Sequence, residues 1–241
     1  MPSLIELAEI CAAVYKGGSS VGIEMQRQTV EWQLKKPWSS RGFFAAQYQD
    51  LPGSRNVLAF RGTDDLVDLL VDDLAIGAGG IPPQVDPACY ATAEVKDRPL
   101  ILTGHSLGGA LAIIAAAKYD LPAVTFNAPG VTDSCVQSIA TGGWDNGLRA
   151  LIGAVQRCIA NPRIINIRIE ADPVSGYFTN GIGAALLTRN PFNTVVAGFQ
   201  PGETMTLPSR SCGLDALCRH GIQTCIAEVR ARGDAFDPIQ L

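Results

Sequence analysis

The sequence predicts an α/β fold with a mixed, mostly parallel central sheet and helices on both faces, and three observations carry that expectation. Early in the chain, two strand-like runs, Phe43 to Tyr48 and Asn56 to Phe60, are joined by the turn Asp50-Leu51-Pro52-Gly53, as in a hairpin. Later strand-like runs, at 100–103, 123–126 and 164–169, alternate with helical periods, as in βαβ units. Between these lies LILTGHSLGGALAIIAAAK, residues 100–118, which passes from a short apolar run into a long Ala/Leu/Ile segment through one glycine-flanked turn. The chain has 241 residues, long enough for one sizeable core, and shows no repeat, low-complexity tract or linker, so it reads as a single domain.

Taken in order, Leu4, Leu7, Ala8, Cys11, Ala12 and Tyr15 recur at helical spacing and predict an amphipathic helix over 3–15, stopped by Gly17-Gly18. Residues 21–35 are mixed and suggest a second helix ending at Lys36-Pro37. After the strand at 56–60 comes RGTDDLVDLLVDDLA, where Leu66, Leu69, Leu70 and Leu74 repeat at helical spacing. The acids among them, Asp64, Asp65, Asp68, Asp72 and Asp73, suit the polar face and N-terminus of that helix; a calcium site is the alternative use of the same carboxylates. Ala75 to Pro83 is a glycine- and proline-rich loop, and a short helix fits within Val85 to Lys96. Further helical periods span Trp144 to Ile159 and 220–232, the latter with Gly233 as its stop. Thr204 to Leu207 is a last short strand.

Composition excludes several classes. Formal net charge is −4 and no basic stripe runs along a predicted helix, which argues against nucleic acid as a partner. The longest charge-free apolar helical stretch, Leu107 to Ala117, falls short of the roughly 20 residues that span a bilayer. The N-terminal stretch holds Glu6 and Glu9 and no basic leader, so no signal peptide is expected; the protein is cytoplasmic or leaves by a leaderless route. An odd count of seven cysteines then favours reduced, packing thiols.

The turn at Gly104-His105-Ser106-Leu107-Gly108 is the place for a nucleophile. Glycines on both sides let the backbone pack closely while Ser106 is held at the start of a helix, where unpaired N–H groups favour a developing negative charge. A serine hydroxyl needs a base within hydrogen-bond reach, itself oriented by a third group. The chain has two histidines; His105 lies inside the turn and points to the other side of the strand, which leaves His220 as the base. An orienting acid should follow a strand between Ser106 and His220. Asp172 does so, two residues after a β-branched run and ahead of Pro173. Asp133, Asp145 and Asp215 follow no comparable strand, and Glu170 would still lie on one. The oxyanion donors expected are the N–H of Leu107 and, after the preceding central strand, that of Thr63.

VLAFRGTDDLVDLLVDD, LILTGHSLGGALA, TFNAPGV and IEADPVSG, with a single histidine before the last helix, resemble the class 3 lipase family of α/β-hydrolases, over about residues 57–225. The resemblance implies Ser106 as nucleophile, Asp172 as acid, His220 as base, and Thr63 with Leu107 as the oxyanion hole. It further implies that Asp72 holds the Thr63 hydroxyl, that no metal or organic cofactor is needed, and that the substrate is a lipid ester. Phospholipids are an alternative substrate, with transient membrane contact and, for a toxin effector, a neutralising partner protein. The segment between Asp73 and Leu100 departs from the family, being short and without its His-Gly-Phe signature; Ala75 to Pro83 or Tyr177 to Leu187 would have to cover the site. Two other readings stay open: a silent hydrolase fold that only binds, and a zinc site from Cys212, Cys218, His220 and Cys225. A disulfide near His220, such as Cys212–Cys225, is a further alternative.

Overall fold

In a computed structural model of the full chain, the residues described are 1–51, 53–62, 83–131, 163–177, 200–213, 215–235 and 237–240. Eight strands form one sheet in strict chain order, β1 to β8: Val21–Glu24, Thr29–Ser40, Phe43–Asp50, Asn56–Phe60, Leu100–His105, Ala123–Phe126, Ile164–Ile169 and Glu203–Leu207. The pairings β1–β2, β2–β3 and β3–β4 are antiparallel, whereas every pairing from β4 to β8 is parallel. The expected mixed, mostly parallel sheet is therefore present. Helices among the described residues are α1 (Leu4–Tyr15), α2 (Val85–Ala93), α3 (Leu107–Tyr119), α4 (Pro173–Tyr177), α5 (Ala216–His220) and α6 (Ile222–Arg230).

Alternation along the central strands divides the core into two layers. Leu58 and Phe60 of β4, with Leu100 and Leu102 of β5, face α2 and α3. Val57 and Ala59, with Ile101, Val124 and Phe126, face α1 and α6 on the other side. Both faces of β4 and β5 are buried throughout, which is why those strands read as continuous apolar runs.

Three expectations need correction. Helix α1 forms where the period places it, with a Ser3/Glu6 capping box, but it is not amphipathic in place. Ten of its twelve residues are buried, because it packs on the sheet and α6 covers it. Even Glu6 is inside, 2% exposed. Its carboxylate accepts from Ser3 N–H at 2.7 Å and Trp32 Nε1 at 3.1 Å, and pairs with Arg55 at 3.0 Å. Four buried Leu and Ile side chains in this helix, each 6% exposed or less, contribute about 1.5–3 kcal/mol apiece by burial.

Residues 21–35 are not a helix but β1 and the first half of β2. The run Thr29-Val30-Glu31-Trp32-Gln33-Leu34 alternates with a period of two, and burial follows it, with Trp32 fully buried between exposed neighbours. Pro37 is tolerated because β1 pairs with β2 only as far as Trp32, so the proline lies on an edge. The closing helix expected over 220–232 starts later, as α6 over Ile222–Arg230, and a separate short helix, α5, ends at His220 before it. Gly221 takes an extended conformation, φ −61° and ψ 140°, and its N–H closes α5 by donating to the carbonyls of Leu217 and Cys218. The helical runs expected around 66–74 and 144–159, and the covering segments at 75–82 and 178–187, lie outside the described residues. Among the described residues, no helix is long and apolar enough to cross a membrane.

Candidate active site

Ser106 occupies the elbow between β5 and α3 at φ 57° and ψ −133°, a conformation that costs a non-glycine residue about 1–3 kcal/mol. Close packing of the flanking glycines holds it there. A Cβ on Gly104 would run into the carbonyl of Gly108, and one on Gly108 into that of Phe60. The Ser106 N–H donates to the Phe126 carbonyl at 3.0 Å, tying the elbow to β6. The hydroxyl makes no helix-capping bond and is directed to His220.

His220 is the last residue of α5. Its Nε2 lies 2.9 Å from Ser106 Oγ, and its Nδ1 lies 2.9 Å from Asp172 Oδ1. The three residues are 1%, 5% and 1% exposed for Ser106, His220 and Asp172, so the chain of bonds is shielded from competing water. With the carboxyl oxygen as acceptor, Nδ1 donates and Nε2 is left to accept from the serine hydroxyl. Asp172 is delivered by the turn after β7, where Ala171 takes φ 57°. Its second oxygen accepts from the Ser175 N–H at 2.7 Å and the Ser175 hydroxyl at 2.5 Å. That oxygen thereby caps α4, with Pro173 at the first helical position, and this fixes the carboxyl plane.

Sequence reasoning missed the residues that hold these three in place. Ser175 is one, although Asp-Pro-Val-Ser is a legible helix-start signal. Asp215, weighed as an acid, instead caps α5 through the N–H groups of Leu217 and Cys218 at 2.9 and 3.1 Å. Glu170 is exposed, while Asp133 and Asp145 lie outside the described residues. His105 does point to the α1 face, but it is not remote from the site. Its ring centroid is 4.9 Å from that of His220, and its Nε2 lies 2.6 Å from the His220 carbonyl. Since a carbonyl only accepts, Nε2 carries the proton, and Nδ1 accepts from Tyr15 Oη at 3.0 Å. Burial, reinforced by the facing His220, holds the His105 pKa down at about 3. His105 is therefore a neutral donor with no free nitrogen for proton transfer.

Leu107 begins α3, so intrahelical bonding leaves its N–H without an acceptor, on the Ser106 side of the helix. Thr63 and Asp72 lie outside the described residues. Gly62, which precedes Thr63 in the chain, passes over the elbow, where an added Cβ would come within 3.2 Å of Ser106 Cβ. A cleft of about 440 Å³ lined by Arg55, Asn56, Leu100 and Pro122 lies at the opposite end of the parallel strands and takes no part in this arrangement.

The expectation of reduced thiols does not hold near the base. Cys212 and Cys218 form a disulfide, closing the loop that leads into α5, while Cys225 is a free, buried thiol. The zinc reading loses its ligands to the same features: two thiols are joined, and both His220 nitrogens are engaged. The pairing differs from Cys212–Cys225 because α6 turns Cys225 into the core against α1.

A serine on a strand–elbow–helix turn at the carboxyl end of a mostly parallel sheet, facing a histidine and an aspartate, defines an α/β-hydrolase fold. Residues 14–174 match the family model of the Tle-like phospholipase domain. The chain belongs to that phospholipase-like family; the match takes in Ser106 and Asp172 and stops before His220. An extracellular phospholipase A1 of Serratia liquefaciens is 40% identical over 95 residues, 38% of this chain and 29% of that protein. A lipase of Eremothecium gossypii, ATG15, is 63% identical over 38 residues, 16% of this chain and 7% of that protein. The chain thus matches less than a third of the length of these curated relatives. Among solved structures, a triacylglycerol lipase from Penicillium expansum superposes with a TM-score of 0.49 at 16% identity, covering 86% of this chain and 79% of its own. The Rhizomucor miehei lipase in its propeptide complex gives 0.46 at 16% identity, covering 85% and 66%.

Proposed function

We propose that this protein hydrolyses carboxylic ester bonds of lipids, phospholipids foremost, through an acyl-serine intermediate. The observation that carries the reading is the buried Ser106–His220–Asp172 chain, with both bonds at 2.9 Å; membership of a phospholipase-like family supports the substrate class. His220 Nε2 takes the hydroxyl proton as Ser106 Oγ attacks the ester carbonyl, and Asp172 steadies the imidazolium that forms. The oxyanion is held by the Leu107 N–H and by Thr63, whose hydroxyl Asp72 orients. His220 then gives its proton to the leaving alcohol, and water repeats the cycle to release the fatty acid. Every proton in this sequence moves between these side chains, substrate and water, so no cofactor takes part.

The reading implies transient contact with a lipid surface and, if the protein is a toxin effector, a partner protein that neutralises it. The test is hydrolysis of phosphatidylcholine vesicles, triglyceride emulsions and short and long p-nitrophenyl esters, wild type beside Ser106→Ala. Activity on vesicles above emulsions, lost by at least about three orders of magnitude in the variant, supports it. Folded protein that cleaves none of these at a lipid interface would point to a fold that binds without catalysis.

A further inference from the structure

Asn127 follows β6 with a left-handed φ of 46°, a region asparagine enters more readily than most residues. Its side chain is fully buried, and both ends of its amide are engaged. Nδ2 donates to the carbonyls of Arg219 and His220 at 2.9 and 3.0 Å, while Oδ1 accepts from the Ile169 N–H at 2.8 Å. Its own N–H donates to the Ile167 carbonyl at 2.8 Å. One amide therefore bridges the end of the helix bearing His220 and the end of the strand leading to Asp172.

These bonds answer a need set by the chain. Helix α5 has five residues and stops at His220 because Gly221 turns away, so the carbonyls of Arg219 and His220 have no intrahelical donor. His220 is 5% exposed, and a buried carbonyl without a donor is costly. Asn127 supplies a donor from one side and His105 Nε2 from the other, at 2.6 Å.

We infer that Asn127 is a positioning residue for the hydrolysis proposed above: with His105 it clamps the main chain of the base to the strand end that carries the acid. The clamp touches neither substrate nor reacting atoms. It acts by setting where the His220 ring stands between Ser106 and Asp172, and a displacement of about 1 Å in such a group costs on the order of 100-fold in rate.

Asn127→Gly keeps the left-handed backbone and deletes the amide; Asn127→Asp keeps the shape but turns an oxygen toward two carbonyls. Each is compared with wild type for kcat and KM on p-nitrophenyl butyrate, per active site titrated with a fluorophosphonate, so that unfolded protein does not count. The downfield proton resonance of the His220 Nδ1–H is recorded on ligand-free protein. The expected result is a kcat lower by about 100-fold, KM within twofold of wild type, and a shifted or broadened resonance. A kcat per titrated site within threefold of wild type, with the resonance unmoved, overturns the inference whatever happens to thermal stability. If neither variant folds, His105→Phe removes the other donor and is read in the same way, with unchanged kcat and resonance again overturning it. Should wild type cleave no ester, the hydrolase reading falls alone, and the resonance still decides whether the clamp holds the base.

Discussion

His105 makes the protein's stability fall with acidity in a way that one substitution isolates. In the folded chain its imidazole is 5% exposed and is held at a pKa of about 3 by burial and by the facing His220. In the unfolded chain it returns to roughly 6.5. Above that value both states carry a neutral ring and nothing is lost. Below it the unfolded chain binds a proton that the folded chain refuses, so stability falls by about 1.4 kcal/mol per pH unit until the folded ring also titrates. Between pH 6.5 and 4.5 the loss is about 2–3 kcal/mol, and it reaches about 4 kcal/mol near pH 3. His105→Phe removes the proton site. The variant also forfeits the bonds to Tyr15 and the His220 carbonyl, which lowers its stability by an amount that this residue's titration does not change. Urea unfolding of both proteins at pH 7.5, 6.5, 5.5 and 4.5 should show the wild-type advantage narrowing by 2–3 kcal/mol across the lower two units. Curves that stay parallel would mean that residue 105 is hydrated or protonated in the folded state, and the neutral-donor assignment would be wrong.

Other perturbations test the frame around the site. Gly108→Ala sets a methyl group against the Phe60 carbonyl, and should cost at least about 1–3 kcal/mol with loss of the elbow; normal melting and full fluorophosphonate labelling would contradict it. Ser175→Ala removes a 2.5 Å bond to Asp172 while leaving the Ser175 N–H in place, so kcat should drop about tenfold with KM little changed. An unaltered kcat would show that the backbone bond suffices. Replacing both Cys212 and Cys218 by serine opens the loop before α5, and should cost about 2 kcal/mol by chain entropy. Dithiothreitol should reproduce the effect on wild type and add nothing to the variant.

Much of this architecture is legible in the sequence because its signals are local. The central strands are mostly apolar and bounded by turns, and Asn56–Phe60, Ala123–Phe126 and Ile164–Ile169 form over the residues expected. Ser106, Asp172 and His220 could be singled out because histidines are scarce and each residue sits beside a recognisable strand or turn. What failed was read from composition where pattern was needed: residues 21–35 looked mixed, yet Thr29 to Leu34 alternate strictly. The Cys212–Cys218 pairing depends on where α6 sends Cys225, which no spacing reveals. Asn127 and His105 were hidden for a different reason. Their partner is a main-chain carbonyl more than ninety residues away, and a backbone group leaves no mark in a list of side chains.

The strict order of the sheet has a consequence for the timing of synthesis. Helix α1 leaves the ribosome before the cover that completes its burial: α6, with the bonds Ile5 N–H to Ala235 and Ile239 N–H to Pro2, is made more than two hundred residues later. Until then the side of α1 turned away from the sheet has no cover, and contacts closing so long a stretch of chain form slowly. The same late segment delivers His220. A nascent chain can therefore present the serine elbow and the acid-bearing strand with no base between them, so the Ser106–His220–Asp172 chain of bonds is complete only when the fold closes.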